Sequence, residues 1–443
     1  MLKTMINAWK VPELRKKLLY TFMMIIIFRF GSWVPIPFLN RDALAALMNG
    51  VMSSNSNTIF SFLNTFSGGA FQYATLFAMS VGPYITSSII MQLMTVVLPS
   101  LERLTKEGEE GRKKMSKITR YLAVVLGILQ GTLYYFYLRN NPEGLDIIKY
   151  TNGFEGFFTA AVIVMVLTAG TALMMWFGEQ INQKGIGNGI SILLFAGIVA
   201  RMPDLVLSLS YYWNLAIEDP SANGKFFVLV PLFVLIFLGV IALIVLMNDA
   251  ERRIPIQYAK RVVGRKMYGG QSTHMPIKIG SAGVMPIIFA STILAVPGTI
   301  NQLAHPTGFW KSFLDTFSHE HAIYPLIYFI LIIMFAYFYI TITYNPIEMA
   351  NNLRQSSGMI PGIRPGKPTS DFIGRVLSKI TLIGALFLAF IALLPIFFGK
   401  ATGMASMSIM GGTSIIILVG VALETVKQME SQMMMRHYKG FLD

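Results

Sequence analysis

Long apolar runs alternate with short polar loops along this chain, and the runs have the length of membrane crossings. A hydrocarbon layer about 30 Å thick takes roughly 20 helical residues to cross. Ten runs approach that length: Leu18–Val34, Phe71–Leu98, Ile118–Leu138, Phe154–Phe177, Ile190–Leu209, Phe226–Met247, Ala282–Leu303, Tyr324–Tyr344, Phe372–Phe398 and Ile409–Val426. The pattern predicts an all-α polytopic membrane protein with ten transmembrane helices. Five and five is the natural division, into 1–209 and 210–443, with large basic loops at 248–279 and 345–371. Five is odd, so a second half built like the first would lie inverted in the membrane, and inverted halves often place a pathway at their interface. No residue-level repeat supports the symmetry; it rests on span count.

One segment breaks the rhythm. Ile59-Phe60-Ser61-Phe62-Leu63-Asn64-Thr65-Phe66 is apolar and aromatic but less than half the length of a crossing. It follows the polar stretch Ser53–Thr58, ends at Ser67-Gly68-Gly69, and the next long run begins almost at once. Non-helical backbone at membrane depth is tolerated only when buried in protein or lining a wet cavity. A short re-entrant helix hinged on glycine fits this pattern, and so does a helix lying flat on the outer surface.

Composition agrees with the pattern. Apolar residues make up 54% of the chain and charged residues 13%, against about 25% charged in soluble domains. Of the 36 Lys and Arg, 28 fall in alternate loops and the two ends, on one side of the membrane. The positive-inside rule places both termini in the cytoplasm, in keeping with an even number of spans. A cleaved signal peptide ending near Ala43-Leu44-Ala45 is the competing reading of the start. That site lies too far beyond the first run, past Arg29 and Pro35-Ile36-Pro37, so the first span is read as uncleaved. The chain has no cysteine, which excludes disulfides, thiol catalysis and Cys-ligated metal.

Candidate chemistry is sparse. Gly185-Ile186-Gly187-Asn188-Gly189-Ile190-Ser191 has glycines like a phosphate loop, but no strand precedes it, so it reads as a tight turn with Asn188 or Ser191 near the cap of the fifth span. Gly362-Ile363-Arg364-Pro365-Gly366-Lys367-Pro368 fails as a nucleotide loop because Pro361 and Pro368 stand at required glycine and hydroxyl positions. It reads instead as a proline-braced turn presenting Arg364, either for docking to an acidic or RNA partner or simply as an inside-positive charge. The run from Glu251-Arg252-Arg253 through Tyr258-Ala259-Lys260-Arg261 to Gly264-Arg265-Lys266 suits RNA phosphates and stacking, or topological anchoring. Arg29 is the clearest ionisable residue inside a span, with Arg201 nearer an end. Carboxylate or histidine relays of the kind ion-coupled transporters keep at depth are scarce, and no nucleophile, base or metal constellation stands out. A dry interior fits passage of something large, or none.

These motifs, in this order and over essentially the whole chain, resemble the SecY family of protein-translocase channels. The most specific are Phe66-Ser67-Gly68-Gly69, Gly82-Pro83-Tyr84-Ile85 with Gln92-Leu93, Lys106-Glu107-Gly108 through Gly111-Arg112-Lys113, Lys184 through Ser191, Ala250 through Pro255, Gln271 through Pro276, Tyr344-Asn345-Pro346 and Pro361 through Gly366. Phe38 is a departure, since many relatives have glycine after the Pro-x-Pro of the first outer loop; it puts that turn in question.

The resemblance implies a protein-conducting channel for secretion and membrane insertion in the bacterial cytoplasmic membrane, with no enzyme activity, metal or cofactor of its own. It implies that Ile59, Phe60, Phe62, Leu63, Asn64, Phe66, Ser67, Gly68 and Gly69 belong to a plug half-helix. It places Val81, Ile85, Ile190, Leu194, Ile288 and Ile417 in an apolar pore ring, and Thr86, Gln92, Thr292 and Val296 at a lateral gate. Arg364 with Lys260, Arg261, Arg265 and Lys266 would dock the motor ATPase SecA or the ribosome. SecE and SecG would be companion subunits, signal-bearing preproteins the cargo, and membrane lipid the sink for apolar segments. A small-solute transporter and a membrane-bound enzyme are the alternatives.

Overall fold

The computed structural model describes residues 2–44, 46–47, 64, 66–140, 146–258, 261–263, 266–268, 272–280, 283–304, 308–317, 321, 323–402 and 412–439. A short surface helix, α1 (Leu2–Lys10), leads into α2 (Pro12–Gly31). Next come α3 (Gly82–Val97), α4 (Pro99–Lys106), α5 (Glu109–Arg139), α6 (Gly153–Lys184), α7 (Gly189–Ala200), α8 (Met202–Glu218), α9 (Pro220–Asn223) and α10 (Phe226–Asp249). After the strands described below follow α11 (Met285–Ala304), α12 (Phe309–Asp315), α13 (Tyr324–Thr343), α14 (Pro346–Gln355), α15 (Lys367–Thr402) and α16 (Gly412–Lys439).

Every expected span has a helix on it. Among the described residues, seven helical stretches are long and apolar enough to cross a bilayer, or eight if α3 and α4, bent by 107°, form one broken span. The other two positions are held by α2, burdened with Arg15, Lys16, Lys17 and Arg29, and by α11, whose apolar stretch is Met285–Pro297. The fifth span, α7 with α8, runs past residue 209 to Glu218, so the expected division between halves falls inside a helix. Asn188 caps α7: its side chain accepts from the amides of Ile190 and Ser191 at 3.2 and 3.5 Å. Such a cap contributes about 1 kcal/mol.

The second span is shorter than its apolar run. A helix was expected from Phe71, but residues 67–81 form consecutive turns and α3 starts only at Gly82. The backbone explains the change. Gly68 and Gly69 have positive φ (64° and 89°), as do Ala74 (41°) and Ser80 (50°), so the chain cannot hold a right-handed helix through these residues. Pro83, inside the first turn of α3, then suits a helix start. The turn segment is nevertheless almost wholly buried, with Ala70, Phe71, Ala74, Phe77 and Ala78 each at 2% exposure or less.

The large basic loops are not featureless. The first carries β1 (Glu251–Tyr258), β2 (Arg261–Val263), β3 (Lys266–Tyr268) and β4 (Ser272–Lys278); the second adds β5 (Gly358–Met359). β1 pairs antiparallel with β4, from Glu251 opposite Lys278 to Gln257 opposite Ser272, and its far end pairs with β5 through Gln257 and Tyr258. A helical protein thus acquires a three-stranded sheet, order β4-β1-β5, that fuses the two loops. It has its own apolar core: Ile254, Ile256 and Ile277 pack on Leu353, Ile360, Ile373, Leu377 and Ile380.

Phe38, the departure noted in the sequence, still makes the turn after Pro35-Ile36-Pro37. Its φ is +66°, a conformation costly for a residue with a Cβ. Its ring sits edge-on to Tyr150 and Phe158 at 6.2 and 6.3 Å, and its carbonyl accepts from the Lys149 amide at 3.1 Å. Aromatic pairs of this geometry contribute about 0.5–1.5 kcal/mol each, enough to offset the strain.

Because one core serves both loops, truncating it should loosen both together. Ile373→Ala, at a fully buried position, should cost about 2–5 kcal/mol locally. Limited proteolysis should then cut 251–278 and 356–366 at similarly raised rates; cleavage of one loop alone would show that the sheet does not unite them.

Candidate functional site

The six expected ring positions converge. Val81, Leu194, Ile288 and Ile417 are members of one buried apolar cluster, and Ile85 and Ile190 pack against it half-buried. Local structure sets this up. Val81 is the residue before α3 and Ile85 lies one turn in, so both share a face; the Asn188 cap starts α7 so that Ile190 and Leu194 are likewise one turn apart. α11 brings Ile288 and α16 brings Ile417 from the other half of the sequence. Val81 is 0% and Ile417 1% exposed within this cluster. A collar without polar groups dewets and blocks ions while offering a sliding polypeptide nothing to bind.

Beside the collar lies a seat built from polar bonds. Of the expected plug residues, Ile59, Phe60, Phe62 and Leu63 lie outside the described residues. Asn64, Phe66, Ser67, Gly68 and Gly69 are described and form the hinge. Arg29 of α2 donates from Nη1 to the Gly68 carbonyl at 2.9 Å. Ser80 Oγ donates to the Phe66 carbonyl at 3.1 Å, and the Phe71 amide donates to Ser67 Oγ at 3.0 Å. Asn64 Oδ1 accepts from the Gln72 amide at 3.1 Å. Gly197 of α7 provides room: a Cβ there would stand 2.6 Å from the Phe66 carbonyl oxygen and 3.4 Å from the Gly68 nitrogen. Arg29, conspicuous in the sequence as a charge inside a span, therefore has a definite partner.

The gate positions meet less directly. Thr86 Oγ1 donates to Gly82 O at 3.1 Å and Thr292 Oγ1 to Ile288 O at 2.7 Å, each within its own helix. Gln92 is half-buried on α3, and Val296 of α11 is 52% exposed. What joins α3 to the second half is apolar. Ile89 is buried in a cluster with Ile287, Leu294, Ile332 and Ile415, with Ile85 and Leu93 packed alongside. The sequence held the clue, an i, i+4, i+8 row on one helix face, but any membrane helix offers such rows.

The family model for SecY matches residues 75–426. Over its full length the chain is 43% identical to the protein translocase subunit SecY of Halalkalibacterium halodurans, covering all of both chains. The chain belongs to the SecY family. Its fold is that of solved channels at 16% identity, over 96% of both chains in each case. One is a SecY structure described as having a plug domain that stabilises the closed state and maintains a membrane seal (TM-score 0.64). Another is Sec61 in a canine ribosome–channel complex from the endoplasmic reticulum (TM-score 0.62).

Two further polar features of this SecY-family chain stand out: an ion pair at Glu179 that sequence reading missed, and Arg201, which it noted near the end of a span. α6 extends to Lys184 and so carries Glu179 past the expected end of the fourth span; its Oε1 lies 2.6 Å from Arg120 Nε of α5, an ion pair outside hydrogen-bond alignment. Arg201 is buried where α7 meets α8, with Nε 3.1 Å from Asp204 Oδ2 and Nη1 without a hydrogen bond. Of the expected docking residues, Arg364 is exposed on its turn, where Thr369 Oγ1 donates to the Arg364 carbonyl at 2.9 Å. Arg261 and Lys266 fall on β2 and β3, while Lys260 and Arg265 lie outside the described residues.

The seat can be probed with a single thiol, because the chain has no cysteine. Ser67→Cys, at a position 0% exposed, should resist a membrane-impermeant maleimide. Adding Gly197→Ala should push the hinge off α7 and raise the labelling rate at least about tenfold, the effect of roughly 1.4 kcal/mol on opening. An unchanged rate would show that the hinge does not depend on the glycine gap.

Proposed function

We propose that this chain is the protein-conducting channel of a bacterial preprotein translocase, passing unfolded secretory chains across the cytoplasmic membrane and releasing apolar segments sideways into lipid. The observation that carries the reading is an apolar cluster: Val81, just before α3, and five side chains from four helices in both halves of the sequence pack together beside a hydrogen-bonded hinge. The relatives' identity as translocase subunits supports the same reading. Both termini are cytoplasmic, the two five-span halves, parting beyond Glu218 instead of at residue 209, are inverted, and the segment 59–69 is the plug that seals the resting pore.

The row Ile85, Ile89 and Leu93, with Thr86, Gln92, Thr292 and Val296 around it, forms the seam that parts for lipid-preferring segments. A seam of apolar contacts can exchange protein neighbours for lipid without leaving polar groups unpaired. The cytoplasmic sheet and the Arg364 turn dock the energy source, either the motor ATPase SecA or the ribosome, whose RNA matches the basic surface. The ribosome-bound state of a structural neighbour supports the second partner. SecE and SecG are companion subunits. The chain hydrolyses nothing; work is supplied by the motor, the ribosome or the membrane potential.

Ile85→Asn, Ile288→Asn or Ile417→Asn should hydrate the collar and relax selection, so that preproteins with defective signal sequences are exported. Export as strict as in the parent protein would remove the ring assignment. Deleting 59–66 should leave a folded channel with raised ion conductance in planar bilayers. Arg364→Glu should lower motor affinity and export together without lowering thermal stability.

A further inference from the structure

The cytoplasmic sheet and the collar are separated along the chain, yet one side chain joins the elements that carry them. Lys427 of α16 places Nζ 2.7 Å from Asp249 Oδ1 and 3.2 Å from the Asn248 carbonyl. Asn248 and Asp249 are the last residues of α10, whose terminal carbonyls have no helical partner and carry partial negative charge. Two residues on, β1 begins at Glu251. The base of the ribbon is clamped at the same place. The Ile279 amide donates to the Ala250 carbonyl at 2.9 Å, and Gly280 packs so closely on Asn248 that a Cβ there would stand 3.0 Å from its Oδ1. In the other direction, α16 rises ten residues from Lys427 to Ile417 of the collar, about 15 Å of continuous helix. Further along, α16 is tied to the first half: Lys17 Nζ donates to Gln432 Oε1 at 3.3 Å.

We propose that Lys427 is a positioning residue that couples the docking sheet to the collar, so that a load on the ribbon shifts α16 and with it Ile417. The inference rests on the docking role given to the sheet. A rigid rod needs a fixed joint to pass on displacement. The Lys427 ammonium supplies one by holding a carboxylate and a helix-end carbonyl at once. Both ion-pair partners are partly exposed, so the pair adds little to folding; its loss should be read in coupling, not in stability.

The test uses the full translocase reconstituted in vesicles with the motor ATPase and a preprotein. Lys427→Gln should bind the motor and unfold thermally as the parent does, yet import about fivefold more slowly, the lower end of coupling effects, with more ATP hydrolysed per chain imported. Lys427→Arg, which keeps donors for both oxygens, should import at the parent rate. Parent-like import and ATP cost in Lys427→Gln, with motor binding intact, would overturn the coupling role alone. So would a loss shared with motor binding and thermal stability, which marks a merely structural residue. Equal motor affinity for the parent and Arg364→Glu would overturn the docking role, and the coupling with it.

Discussion

Every backbone amide and carbonyl at membrane depth must find a partner inside the protein, because hydrocarbon offers none. Helices meet that demand by themselves. The turn segment 67–81 does not, and its surroundings can be understood as the answer. Arg29, Ser67 and Asn64 bond its amides and carbonyls, and Ser80 reaches back to the Phe66 carbonyl just before it. The Leu76 amide reaches the Val34 carbonyl at 2.9 Å and the Ile36 amide the Ala74 carbonyl at 3.1 Å, making a short bridge to the first outer loop. Tyr134 Oη completes the set by donating to the Phe71 carbonyl at 3.2 Å. A charge inside a span, a glycine on α7 and an aromatic hydroxyl on α5 thus serve one irregular stretch of backbone.

The helices were legible because their signal is cumulative: a run of some twenty apolar residues outweighs any local preference. The turn segment was not, because Phe71–Val81 is as apolar as a helix and the positive φ at Ala74 and Ser80 has no glycine to announce it. The three-stranded sheet was hidden for a related reason. β1 and β4 each contain a proline, Pro255 and Pro276, which weakens a strand signal. The pairing that unites the loops also joins residues about a hundred positions apart, Gln257 with Met359. Turn chemistry fared better, since Asn188 among glycines marks its own cap. The collar positions came from family resemblance and not from pattern, as isoleucine and leucine are the commonest content of any membrane helix. Phe38 shows the converse: the sequence flagged a departure, and only the ring contacts to Tyr150 and Phe158 account for how the turn survives it.

Polar and apolar contacts divide the work between holding and parting. Where the chain must be held in one irregular shape, at the hinge, the contacts are hydrogen bonds with directional preference. Where surfaces are proposed to separate, at the collar and along α3, they are side-chain packing that lipid or a translocating chain can replace. The threonines at the seam fit this division. By bonding back to their own helices, Thr86 and Thr292 would leave no donor stranded in the proposed parting of the halves.

The same division constrains how a proposed plug can leave. Breaking the bond from Arg29 to the Gly68 carbonyl in a dry cavity would leave a charged donor and a carbonyl unpaired, at a cost of several kcal/mol. In water the exchange would cost about 1 kcal/mol, since solvent takes over both groups. The proposed collar, when shut, would keep water out from one side, so the seat would be strongest in that state. A polypeptide entering it would change both conditions together: it would part the apolar ring and bring peptide groups and water that can satisfy Arg29 and the hinge carbonyls. On this proposal seal and collar are coupled through hydration, and the cargo itself lowers the barrier to opening.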